Sequence, residues 1–159
     1  PSSGVPFDKI PLEDWQATFR VNLEGVFHTL QAAVIHMKEH GQGGSLLATS
    51  SGSSLSGAPN ASAYAATKGG INALMMGIAS GYARYGIRAN TLVPGWVDTA
   101  MTERAFHTPL FEEKVLKRIP MRRWGTGADY RGLAVYLVSD ASAYHTGDIF
   151  VIDGGYEVF

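Results

Sequence analysis

Three short apolar runs, at residues 45–50, 87–93 and 148–152, are each separated from the next by a stretch of helical periodicity. Strands joined through long helices need crossover connections, so the three runs predict a parallel sheet covered by helices on both faces. The run at 45–50 has too few polar residues for a half-solvated strand and reads as a central parallel strand. Its edge would expose unpaired backbone unless another strand lay beside it.

The helices come from spacing. Trp15, Phe19, Leu23, Val26, Phe27, Leu30, Val34 and Met37 recur at threes and fours after Pro11, and the pattern stops at Gly41-Gln42-Gly43-Gly44. A second helix is expected over about 64–85, ending at Gly86, and a third over about 100–118, broken near Thr108-Pro109. Thr126 is placed to cap a fourth over 128–139. Residues 51–63, rich in Ser and Gly, read as loop. The order is that of half a doubly wound α/β domain.

At 159 residues the chain has the size of one domain. Its composition, 45% apolar and 17% charged, is globular. A formal charge of -1, with no basic cluster longer than Arg122-Arg123, gives no footprint for nucleic acid or an anionic membrane. The absence of cysteine excludes disulfides and thiolate metal sites, and a cytoplasmic protein is expected. His36 and His40 stand four apart, a zinc-compatible spacing, but no third ligand can be argued and a solvated helix face is the default. The first residue is not methionine and Pro1-Ser2-Ser3-Gly4 reads as loop, so the chain is expected to be part of a longer one.

Tyr64-Ala65-Ala66-Thr67-Lys68 puts a phenol and an ammonium on one helix face. An isolated phenol holds its proton to about pH 10. A nearby ammonium favours phenolate and so suits a phenol to proton transfer near neutrality. Such pairs are common and most carry no chemistry. Ser50-Ser51, at the end of the first predicted strand, adds hydroxyls where α/β sheets bind ligands.

Thr49-Ser50-Ser51-Gly52, Gly57 and the Tyr64-to-Lys68 segment, with thirteen positions from Ser51 to Tyr64, resemble the short-chain dehydrogenase/reductase family. The segments Trp15 to Gly25, Arg88 to Thr99, Arg122 to Gly125, Thr146-Gly147 and Asp153-Gly154-Gly155 extend that resemblance over nearly the whole chain. It implies the carboxyl-terminal half of a Rossmann-type sheet, about three strands with flanking helices, forming one partial domain over 1–159. It also implies an NAD- or NADP-dependent oxidoreductase interconverting an alcohol and a ketone.

By this resemblance Tyr64 exchanges the proton with the reacting oxygen, Lys68 stabilises the phenolate and holds the nicotinamide ribose, and Ser51 hydrogen-bonds the reacting oxygen. Asn22 would order a proton-relay water; as a mid-helix Asn it is otherwise a surface residue or a local distortion. Pro94 and Gly95 would flank the nicotinamide, the Val97 backbone would meet its carboxamide, and Thr99 would approach the pyrophosphate. A homo-oligomer, dimer or tetramer, is implied through helices near 13–40 and 64–85, where Gly70, Ala73, Gly77 and Gly81 form a small-residue stripe equally compatible with packing inside the chain.

The family's glycine-rich phosphate loop has no counterpart among these residues. The competing expectation is therefore a silent fragment or oligomerisation module that does not bind cofactor alone. Trp96, Phe106, Phe111 and Trp124 are candidates for an apolar pocket or for core.

Overall fold

The computed structural model describes residues 4–100, 102–106 and 108–159. Helix α1 (Leu12–Phe19) runs through a π-helical turn (Arg20–Glu24) into α2 (Gly25–His40), which ends on Gly41 in the left-handed conformation. Strand β1 (Gly44–Thr49) follows, then a one-turn helix α3 (Ser53–Ser56), α4 (Ser62–Tyr82) and β2 (Ile87–Pro94). The rest comprises α5 (Glu103–Phe106), α6 (Pro109–Leu116), α7 (Gly127–Val138) and β3 (Ile149–Ile152).

The three strands pair in parallel in the order β1-β2-β3. The strand at 45–50, expected to be central, lies at an edge of this sheet, whereas β2 takes both partners. β2 is buried along nearly its whole length, while β1 is buried mainly at Leu46 and Ala48; apolar content reports which faces are covered and not which edges are paired. Those two residues face α2 and α4, packing with Leu30, Val34, Ile71, Met75 and Ile78. The opposite face of β1 meets α7, where Ser45 Oγ donates to the Leu137 carbonyl at 2.7 Å. Each fully buried aliphatic side chain such as Ile71, Ile87 or Leu137 contributes roughly 1.5–3 kcal/mol.

A polar seam fixes the last strand. Asn90, fully buried in β2, donates to the His145 carbonyl at 2.9 Å and accepts the Asp148 N–H at 3.1 Å. Thr146 Oγ1 accepts the Ala89 N–H at 3.1 Å, and the Gly147 N–H reaches the Ala89 carbonyl at 2.8 Å. Gly147 has φ +84°, which explains glycine at that turn. Arg88 donates to the carbonyls of Leu137 and Ser139 at 3.0 and 3.1 Å, satisfying the end of α7. Thr126 stands at the expected cap of α7, and its N–H donates to the Asp129 carboxylate at 2.7 Å.

The loop expected at 51–63 contains the additional turn α3, held by Ser54 Oγ donating to the Ser51 carbonyl at 2.6 Å. No described helix is long and apolar enough to cross a membrane.

Candidate active site

Because the strands are parallel, their carboxyl ends lie on one side, bringing Ser50-Ser51, Pro94-Gly95 and Asp153 together. Gly95 donates to the Ile152 carbonyl at 3.0 Å, and Gly52 donates to that of Pro94 at 3.3 Å. A Cβ on Gly95 would stand 2.6 Å from both Cα and Cβ of Asp153. Glycine is required there by close backbone approach.

Tyr64 sits near the start of α4, half-buried, with Lys68 one turn on. The Lys68 ammonium lies 5.6 Å from the centroid of the Tyr64 ring and donates to the Thr49 carbonyl at 3.0 Å. Burial pushes the Lys68 pKa below the ordinary lysine value. Ser51 Oγ accepts from the N–H and the hydroxyl of Ser53, at 3.3 and 3.0 Å, and no described residue receives the Ser51 hydroxyl proton. Ser51 therefore keeps its one donor for another oxygen. Ser50 is the buried neighbour: its Oγ donates to the Lys68 carbonyl at 2.9 Å, stapling the end of β1 to α4.

Asn22 lies inside the π-helical turn, so its place in the middle of a helix is one of local distortion. Its Nδ2 is 3.5 Å from Thr67 Oγ1, the outer limit of hydrogen bonding. Thr67 Oγ1 in turn donates to the Tyr64 carbonyl at 2.7 Å. Thr67, fully buried, thus links Asn22 to the helix of Tyr64 and Lys68, a role its sequence position alone did not signal.

The loop after β2 is closed by Thr102. Its Oγ1 donates to the Val97 carbonyl at 2.6 Å and accepts the Thr99 N–H at 3.0 Å. The Thr-x-x-Thr spacing is the signal that could have revealed it. Val97 pairs with Gly125 as an isolated parallel bridge. The bonds of that bridge run through the Trp96 carbonyl and the Asp98 N–H, leaving the Val97 N–H without a partner among the described residues. Thr99 is exposed, and no described contact joins it to Ser51, Tyr64 or Lys68.

Trp96, Phe106, Phe111 and Trp124 form one packed cluster: Phe106 stacks on Trp124 at 3.9 Å and Trp96 meets Phe111 edge-on at 5.4 Å. Phe106 is buried, so it acts as core rather than pocket wall. A cleft lined by Trp96, Gly125, Tyr130 and Asp153 borders this cluster and contains none of Asn22, Ser51, Tyr64 and Lys68. His36 and His40 pack edge-on at 4.9 Å, and no group of three metal-ligating side chains occurs among the described residues.

A family model described as enoyl-(acyl carrier protein) reductase matches residues 2–157. L-rhamnose-1-dehydrogenase of Scheffersomyces stipitis is 38% identical over 149 residues, covering 94% of this chain and 58% of the relative. The chain belongs to the short-chain dehydrogenase/reductase family. Gluconate 5-dehydrogenase of Gluconobacter oxydans, another such relative, is 35% identical over 154 residues, with 97% and 60% of the two chains covered. Among solved structures, a gluconate 5-dehydrogenase from Burkholderia cenocepacia in complex with NADP and tartrate superposes with a TM-score of 0.93 at 37% identity. That match covers 98% of this short-chain dehydrogenase/reductase chain and 60% of the other. The chain thus spans about three fifths of the length of these relatives.

Proposed function

We propose that this chain is the catalytic part of an NAD- or NADP-dependent oxidoreductase that interconverts an alcohol and a ketone, within a single partial domain over 1–159. The observation that carries the reading is the Lys68 ammonium 5.6 Å from the Tyr64 ring, at the same sheet end as a Ser51 hydroxyl with its proton uncommitted. Support for the substrate class comes from the relatives, which are named for rhamnose and gluconate.

In this reading Ser51 donates its hydroxyl proton to the reacting oxygen and fixes the oxygen's direction. Tyr64 takes the alcohol proton in oxidation and returns it in reduction. Lys68 stabilises the phenolate by its charge and is itself held by the Thr49 carbonyl. Asn22, in its π-turn, is suited to hold a water on the Lys68 side, because there the helix carries carbonyls outside the regular ladder.

The residues fit a nicotinamide. The unpartnered Val97 N–H suits the carboxamide oxygen, and the Lys68 donors not used on Thr49 suit ribose hydroxyls. Pro94 and Gly95 would form the floor, and the exposed Thr99 would approach the pyrophosphate. A nicotinamide held by these residues would supply or accept the hydride.

A homo-oligomer, dimer or tetramer, formed through α2 and α4 belongs to the same proposal. It is supported by Ile35 and Met76, which are 50% and 45% exposed, and by Gly77 and Gly81, whose Cβ positions open on empty space. Gly70 is different: a Cβ there would lie 3.0 Å from Leu23, so its smallness serves packing inside the chain.

The test is titration with NAD(H) and NADP(H), followed by nicotinamide absorbance over a panel of sugars, polyols and ketones. Turnover that disappears in Tyr64→Phe while cofactor binding persists is the expected result. Undiminished turnover in that variant would overturn the assignment.

A further inference from the structure

Gly52, next to Ser51, has φ −51° and ψ −32°, a conformation open to any residue. Its glycine is therefore not explained by backbone freedom. A Cβ built there lies 2.5 Å from Oε1 of Glu157, so any side chain at 52 would displace that carboxylate. The missing side chain makes room for the Glu157 carboxylate against Gly52, the residue that follows Ser51 in the chain.

Other contacts aim the glutamate. The Asp153 carboxylate accepts the N–H groups of Gly155 and Glu157, both at 2.8 Å, and so turns the chain back over the carboxyl ends of β1 and β2. Ser56 Oγ donates to Glu157 Oε1 at 3.2 Å. No Lys or Arg among the described residues pairs with Glu157. The cation packed on this segment, Arg118, lies 4.4 Å from the Tyr156 ring centroid instead. Glu157 is half-buried, with one hydroxyl partner and unused acceptor capacity.

We propose that Glu157 is a specificity residue that accepts hydroxyl groups of a neutral polyhydroxylated substrate, a polyol or aldose, and disfavours the corresponding sugar acid. The assignment rests on the reading of Ser51 and Tyr64 given above. An ionised carboxylate accepts hydroxyl donors strongly, and it repels a second carboxylate brought beside it. Between rhamnose and gluconate, the substrates for which the two relatives described above are named, this chemistry selects the neutral sugar.

The test compares D-glucitol and D-gluconate as probes of the full chain with NADP+. Binding is read by saturation-transfer NMR in a Tyr64→Phe background, where no turnover intervenes, and kcat/KM is read with Tyr64 intact. Glucitol is expected to be preferred by about tenfold or more, with Glu157→Gln weakening glucitol about tenfold and narrowing the preference; tenfold corresponds to about 1.4 kcal/mol. Glu157→Gln can keep the Ser56 contact, and Glu157→Asp, which shortens the reach, serves as a second variant; equal melting temperatures establish that each folds.

An unchanged glucitol-to-gluconate ratio in both variants overturns the role of Glu157 while leaving alcohol turnover, and hence the general reading, intact. Glutamate-dependent glucitol binding without turnover of any alcohol would uphold the binding role and overturn the catalytic reading.

Discussion

Lys68 Nζ donates to the carbonyl oxygen of Thr49 at 3.0 Å, tying the ammonium to the last residue of β1. Burial lowers the Lys68 pKa from 10.5, so the unfolded chain binds the proton more tightly than the folded one. Between the folded value and 10.5, the cost that Lys68 imposes on folding shrinks as pH rises. The stability of Lys68→Met relative to the parent is therefore expected to be greatest near neutrality and to decline toward pH 10.5, as read by thermal unfolding across pH. Turnover in that variant should fall by about a hundredfold or more.

Asn22 makes only a 3.5 Å contact to Thr67, which is too long to carry much stability. Replacement by Ala is expected to cost less than about 1 kcal/mol in unfolding. If Asn22 orders the proposed relay water, the same replacement should reduce turnover about tenfold or more. Steady-state kinetics alongside denaturant titration separates the two. A large stability loss matched by an equal loss of folded protein would make Asn22 a packing residue instead.

The alternation of strand and helix was readable because buried parallel strands and amphipathic helices leave distinct periodicities, and every predicted strand and helix has its counterpart within a few residues. Ser51, Tyr64 and Lys68 were readable as a group because spacing along one strand-loop-helix unit is local. What escaped was non-local or cooperative. Nothing local in the sequence says that Glu157 reaches Gly52, a contact across 105 positions. The π-turn around Asn22 interrupts an otherwise regular hydrophobic pattern too briefly to alter it. The edge position of β1 escaped because apolar content reports burial of faces, not the pairing of edges.

Gly95→Ala places a methyl 2.6 Å from Asp153 Cα, a backbone atom that cannot swing aside. The cost is expected to be about 2 kcal/mol, a fall in Tm of roughly 4–8 °C for a chain of this size. Since Gly95 also opens the loop proposed to hold the nicotinamide, cofactor affinity should fall with it. Isothermal calorimetry below the lowered Tm distinguishes that loss from simple unfolding.

Arg123 and Asp129 form a fork outside the active group, with contacts of 2.8 and 2.6 Å, and the Thr126 N–H adds a third at 2.7 Å. The guanidinium first, and then the backbone N–H, hold the Asp129 carboxyl far below its ordinary value of 3.8. A depressed carboxyl pKa stabilises the fold above the unfolded value, and this contribution falls away as pH drops through the window below 3.8. The Tm of Asp129→Asn should therefore lie below that of the parent by a constant amount from neutrality to about pH 5. Below pH 4 the two curves should converge. Because the fork is accessible to solvent, 1 M salt should narrow the gap at neutral pH by screening. A gap indifferent to both acid and salt would overturn the ion pair as its source; the capping contact at Thr126 is not lost in this variant, since an asparagine oxygen can still accept that N–H.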